Sequence, residues 1–187
     1  MRPRIVQPTP DEMSPDQHEL YKKLLSSPRS SGPRPFPLVD DDGRLRGPFG
    51  AMLLEPELGN ALQDLGGAVR YRTPLSPRAR EIAILIVAAH TDCAYEWQVH
   101  EHAARLAGLT DEELSAIPER RGEAFADRAE RTLFDTTWEL VATRDLTDDA
   151  YARAVASLGA EQLFTLTTLV GYYQLLALQL GVFRVGA

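Results

Sequence analysis

The chain has 187 residues, 44% apolar and 25% charged, the balance of an ordinary soluble globular protein able to build one hydrophobic core. A formal net charge of −7 argues against a nucleic-acid phosphate binder, which needs a basic face. Its single cysteine, Cys93, rules out an intrachain disulfide and fits a reducing, cytoplasmic setting.

The N-terminal MRPRIVQPTPDEM is basic at first, but no apolar run follows, so it does not read as a signal peptide. Ser14-Pro15-Asp16-Gln17 is the first helix signal: Ser14 suits the N-cap, Pro15 the first helical position, and Gln17 can close a capping box. Apolar spacing at Leu20, Leu24 and Leu25 carries that helix on. Residues 28–50 are rich in Pro, Gly and Asp and read as an irregular arm anchored by Phe36, Phe49 and Met52, with a turn at Asp42-Gly43.

From Pro56 the chain reads as helix after helix. PELGNALQDLGGAVRY is moderately amphipathic, and a break at Thr73–Pro77 offers Ser76 as the next N-cap. The helix after it is apolar on almost every face from Ile82 to Ala89, which calls for cover all round, most readily with help from a partner subunit. A helix bearing DCAYEWQVH (Asp92–His100) ends near Gly108, and Thr110–Glu113 is a capping box for a short helix before Pro118. Stretches 123–142, 148–157 and 161–183 complete the set. Gln162 to Phe183 contains no charged residue and is long enough to span a bilayer, but its Thr, Tyr and Gln content reads better as a core or interface helix than a membrane span. No run shows strand alternation, and the expected class is all-α in a single domain, 1–187.

Chemistry concentrates in DCAYEWQVH. With Cys93 at zero, a helix advancing about 100° per residue puts Glu96 near 300°, Trp97 near 40° and His100 near 340°, all on one face. Tyr95 and His102 point away. Glu96 and His100 are at i, i+4, where a carboxylate can orient an imidazole for general acid–base work. A thiol one turn earlier is activated by a protonated His100 but opposed by Glu96, which favours proton transfer over peroxide reduction. Chelation of a metal by Glu96 and His100 lacks an obvious third ligand, so no metal is expected.

The run Arg80-Glu81, apolar helix, Cys93-x-x-Glu96-x-x-x-His100, then Ala103-x-x-x-Ala107-Gly108-Leu109-Thr110-x-Glu112-Glu113 resembles the carboxymuconolactone decarboxylase family, which includes the AhpD-like alkylhydroperoxidases. The match is strongest over residues 75–117, and Gly171-Tyr172-Tyr173 looks like the family's closing helix. The resemblance implies an AhpD-like helical bundle assembled as a dimer, trimer or hexamer. In the peroxidase branch the pattern is Glu, eleven residues, Cys-x-x-Cys, three residues, His. Glu81, Cys93 and His100 match it, but Glu96 stands in place of the second cysteine, so a two-thiol cycle cannot run. The decarboxylase branch keeps Glu-x-x-x-His and uses no metal or organic cofactor.

The candidate catalytic residues are therefore His100, Glu96, Cys93 and Glu81, and the candidate substrate contacts are Arg80, Trp97 and Tyr172. Each has a plainer reading: a packing hydrogen bond for Glu96 and His100, an inert thiol for Cys93, an N-terminal charge for Glu81, a salt bridge for Arg80, and core packing for Trp97 and Tyr172. Three functions remain open on these residues. The first is a cofactor-free acid–base enzyme, of decarboxylase or lyase type, on a small organic acid, lactone or enolisable carbonyl compound. The second is a hydroperoxide reductase using Cys93 alone, and the third is a non-catalytic oligomer that binds a small ligand.

Overall fold

The caps foreseen in the sequence start three of the helices. Ser14 accepts from the Gln17 amide and Gln17 answers to the Ser14 N–H. Ser76 accepts from the Ala79 amide, and Thr110 and Glu113 form a reciprocal box. The computed structural model describes residues 3–31 and 34–185; residues 1–2, 32–33 (within the expected arm) and 186–187 lie outside the described residues. In chain order the α-helices are α1 (Pro15–Ser26), α2 (Pro28–Ser31), α3 (Pro48–Met52), α4 (Pro56–Tyr71), α5 (Pro77–His90), α6 (Ala94–Leu106), α7 (Asp111–Ala116), α8 (Arg128–Thr143), α9 (Asp148–Leu158) and α10 (Ala160–Phe183). Among the described residues the only β pairing is an isolated antiparallel bridge, Val39 to Leu45, across the Asp42-Gly43 turn. Among the described residues the protein is all-α.

Three boundaries differ from expectation. The arm carries two short helices, α2 and α3, each beginning at a proline, whose fixed φ suits a first helical position. The stretch expected to be helical from residue 123 opens instead as a 3₁₀ turn, Gly122–Ala124. α8 starts at Arg128 because the Asp127 side chain caps the Ala129 and Glu130 amides. The motif helix excludes Cys93, which sits at its N-cap with φ −92° and ψ 89°.

α5 is the axis of the molecule. Every residue from Ile82 to Val87 is at most 1% exposed, enclosed by α6 on one side and by α8 and α10 on others. The cover expected from a partner subunit is supplied by the chain itself. One core runs continuously from Leu20 in α1 to Leu176 in α10. α4 docks onto α3 and α1 at Gly59, where a Cβ would lie 2.4 Å from the Met52 carbonyl oxygen and 2.7 Å from Leu20 Cδ2. Only glycine allows that approach.

α10 is long and apolar enough to cross a membrane by length and composition. In the fold it buries one side, including Leu166, Leu169, Tyr173 and Leu176, against the rest of the protein. Its other side leaves Phe164, Leu175, Leu178 and Val182 exposed at helical spacing.

Candidate active site

α5 and α6 pack against each other as a helical hairpin through the corner Thr91–Cys93, where Asp92 takes a left-handed φ of 51°. That pairing brings Glu81, in the second turn of α5, opposite His100 on α6. His100 Nδ1 lies 2.6 Å from Glu81 Oε2, and His100 Nε2 lies 3.3 Å from Glu96 Oε2 one turn back on α6. All three residues are at least 96% buried: Glu81 1%, Glu96 4% and His100 4% exposed. The imidazole is thus held between two carboxylates, one on each nitrogen.

The charges around Glu81 come from elsewhere in the chain. Arg80 Nε donates to Glu81 Oε1 at 3.2 Å while its Nη1 donates to the Arg70 carbonyl at 2.6 Å. Arg70, from the last turn of α4, donates through Nη2 to Glu81 Oε1 at 3.4 Å and through Nη1 to the Tyr173 hydroxyl at 2.8 Å. The same Nη1 lies 3.3 and 3.4 Å from the two ring nitrogens of His100. Tyr173, from α10, meets the His100 ring edge-to-face at 5.1 Å between centroids.

Burial alone pushes the Glu81 carboxyl up. The His100 hydrogen bond and charge, with the Arg70 and Arg80 guanidinium groups, outweigh it and hold the carboxyl down at about 2. For Arg70 burial opposes the charge, but Tyr173 and Glu81 more than restore it, so the guanidinium stays protonated. Glu81 is therefore a fixed anion. As such it accepts the Nδ1–H of His100 and turns Nε2 toward Glu96. The Glu96 carboxyl faces Nε2 at 3.3 Å, an ion-pair contact when the ring is protonated.

These groups form the floor of a cavity of about 350 Å³, lined by Arg70, Arg80, Glu81, Glu96, His100 and Tyr173 and walled by Tyr95, Phe49 and Arg34. Its size and mixed lining suit a small organic molecule. Tyr95, expected to point away, is a wall of this cavity: the ring is pinned by Gly47, whose φ is 63° and where a Cβ would lie 2.3 Å from the ring. The two carboxylates approach opposite ring nitrogens and so do not converge on one point. Among the described residues no group of three His, Cys, Asp or Glu is arranged to hold a metal ion.

Of the sequence candidates, Glu81, Glu96, His100 and Arg80 meet in this cavity. Cys93 does not line it. At the N-cap, off the helical wheel that placed it beside Glu96, the thiol packs with Ala51, Tyr95, Leu180 and Val185. Burial pushes the thiol up, and the Glu96 and Asp92 carboxylates add to this against the pull of the α6 amides. Trp97 packs half-buried on the core, and Tyr172 is buried edge-on to Tyr173 at 5.5 Å. Neither lines the cavity. Tyr173, its neighbour about 100° round the helix, does. Arg70 went unnoticed because nothing local in AVRYR distinguishes it from a surface arginine.

A model of the carboxymuconolactone decarboxylase family matches residues 56–138, which span Arg70, Glu81, Glu96 and His100. Over this stretch the chain is similar to the carboxymuconolactone decarboxylase family. Among solved structures it is similar to ATU0492 from Agrobacterium tumefaciens, a protein of unknown function with a suggested antioxidant-defence role as an AhpD protein. Identity is 20%, with a TM-score of 0.65 over 72% of this chain and 92% of that one. It is also similar to a cysteine-to-alanine form of the debrominase Bmp8 in complex with 2,3,4-tribromopyrrole, at 11% identity and TM-score 0.68 over 91% of this chain and 84% of that one. At these identities the likeness concerns the fold. Comparison with curated proteins finds no match.

Glu81 titrates near 4.5 when free of partners and at about 2 in the fold, so its depressed value stabilises the folded state above the unfolded value. That stability, about 3 kcal/mol, is lost as pH falls from about 5 toward 2. Urea unfolding of the wild type should show this acid loss, and Glu81→Gln should abolish most of it. The same variant should cost about 3–5 kcal/mol at pH 7, by leaving Arg70 and Arg80 without their counter-charge. An unchanged acid limb in Glu81→Gln would show that the carboxyl is not the group responsible.

Proposed function

We propose that the protein is an acid–base enzyme of carbon–carbon lyase type, acting on a small organic acid, lactone or enolisable carbonyl compound without an added cofactor. The observation that carries this reading is His100, buried between Glu81 and Glu96 on the floor of a cavity that also presents Arg70 and Tyr173. The match to the family model supports an enzyme at the coarser level.

The division of labour follows from the geometry. Glu81 fixes the ring through Nδ1–H, and a proton on Nε2, with Glu96 3.3 Å away, is the one available to the cavity. The Arg70 guanidinium and the Tyr173 hydroxyl it binds stand where an oxyanion would be stabilised. In a β-keto acid, the bond to the carboxylate breaks and carbon dioxide leaves. The electron pair moves to the carbonyl oxygen as an enolate, which Arg70 and Tyr173 stabilise. The Glu96–His100 proton then returns to carbon, and water restores it.

A thiol peroxidase reading has less support. Cys93 is outside the cavity with its thiol pushed up, and Glu96 occupies the position of the second cysteine. The debrominase and antioxidant descriptions belong to neighbours too distant in sequence to carry their chemistry here.

Assayed against a panel of β-keto acids, γ-lactones and alkyl hydroperoxides, the wild type should turn over an acid or lactone. His100→Gln should lower kcat/KM for it by about 100- to 10,000-fold with helical content retained. Cys93→Ser should stay within about threefold of wild type, because no step uses the thiol. Full turnover by His100→Gln would sink the relay. Peroxide turnover lost in Cys93→Ser would install the thiol reading, and a ligand held without any turnover would make the protein a binder.

We further propose that a second copy of the chain covers the exposed face of α10, in a cytoplasmic homo-oligomer. Phe164, Leu175, Leu178 and Val182 form an uncharged stripe, and Gly171 leaves open space within it for close approach. Sedimentation velocity should show an oligomer that Leu178→Glu shifts toward monomer. A wild type that sediments as a monomer at all concentrations contradicts it.

A further inference from the structure

Behind Tyr95 lies a second cavity, of about 420 Å³, enclosed by the N-terminal segment, the arm and the end of α10. It shares Tyr95 with the first cavity and contains none of Glu81, Glu96 or His100. Three arginines line it, Arg44, Arg46 and Arg184, against a single carboxylate, Asp40. In a chain of net charge −7 this is a local reversal of sign.

The carboxylate does not neutralise the arginines. Asp40 Oδ1 is taken up by the turn, accepting the Asp42 amide at 3.0 Å and the Arg44 amide at 2.8 Å. Arg44 is committed, through Nε to the Gln7 carbonyl at 3.1 Å and through Nη1 to Asp42. Among the described residues Arg46 uses only Nε, toward the Val39 carbonyl at 3.3 Å. The Arg184 guanidinium makes no hydrogen bond or ion pair among the described residues. Two guanidinium groups therefore face the cavity with donors to spare, while Ile5, Phe36, Leu45 and Val185 supply an apolar wall. Planar forks of this kind match carboxylate and phosphate oxygens two at a time.

We propose that this cavity binds a small amphipathic anion, a carboxylate or phosphate monoester on a short hydrocarbon body. Arg46 and Arg184 hold the headgroup, and Ile5, Phe36 and Val185 take the body. The volume lies in the range of small-molecule sites. The site is separate from the Glu81–His100–Glu96 relay and independent of what that relay catalyses. Its occupant touches the Tyr95 ring, whose other side walls the first cavity, so the two sites share one partition.

Isothermal titration with hexanoate, hexyl phosphate and inorganic phosphate tests the assignment. Probes carrying the hexyl chain should bind wild type and His100→Gln with equal affinity. Arg184→Gln and Arg46→Gln should each weaken binding about tenfold, and the double variant about 100-fold. Arg46 is exposed and Arg184 half-buried, and circular dichroism checks that the variants fold. Hexyl phosphate should bind at least about tenfold tighter than inorganic phosphate, because the apolar wall contributes. Whichever of the two hexyl probes binds tighter names the headgroup. No binding at millimolar probe, affinity unchanged in the double arginine variant, or binding lost in His100→Gln would each overturn the proposal.

Discussion

A single buried carboxylate, Glu81, sets the terms for the rest of the site. At 1% exposure it would be expelled or neutralised in an apolar core, yet three donors hold it ionised: His100, Arg70 and Arg80. Each comes from a different direction. Arg70 fixes the end of α4, Arg80 and Glu81 belong to α5, and His100 brings in α6. Tyr173 ties in α10 through Arg70. The packing of four helices is thus coupled to one charge. Removing it would leave two guanidinium groups buried with one carboxylate too few, which is why the cluster behaves as a unit.

That constraint also decides what His100 can do. With Nδ1 committed to Glu81, only Nε2 remains for exchange, and Glu96 is the group it meets. Glu96 stands where the peroxidase pattern that the chain resembles has its second cysteine, so an acid occupies that position beside His100. Burial and two nearby carboxylates push the Cys93 thiol up, and its side chain packs away from the cavity.

Much of the scaffold was legible in the sequence because helix starts are local. Ser14, Ser76 and Thr110 each announce a cap within three residues, and the structure uses all three. Glu81, Glu96, His100 and Arg80 could be singled out by spacing and by resemblance. The failures at Tyr172 and Arg70 share a cause, contacts made across the fold, whereas that at Cys93 is a local boundary. Cys93 was placed on a helical wheel whose first residue is Ala94, so its angle had no meaning. Tyr172 and Tyr173 differ by about 100° on one helix, and only the docking of α10 decides which faces the cavity. Arg70 lies 11 residues before Glu81 and 30 before His100, and no periodicity connects them. The covering of α5 misled in the opposite sense. An all-round apolar helix suggests a partner, but α6, α8 and α10 suffice to enclose it, and the unsatisfied apolar surface lies on α10 instead.

The relay stands or falls on where the protons of His100 are. ¹⁵N chemical shifts of its ring, followed from pH 5 to 8 in wild type and in Glu81→Gln, report the two nitrogens separately. Nδ1 should be protonated throughout in the wild type, and Glu81→Gln should release that preference. A His100 with Nδ1 unprotonated at pH 7, or a ring indifferent to Glu81→Gln, would contradict a buried carboxylate that aims the imidazole at Glu96.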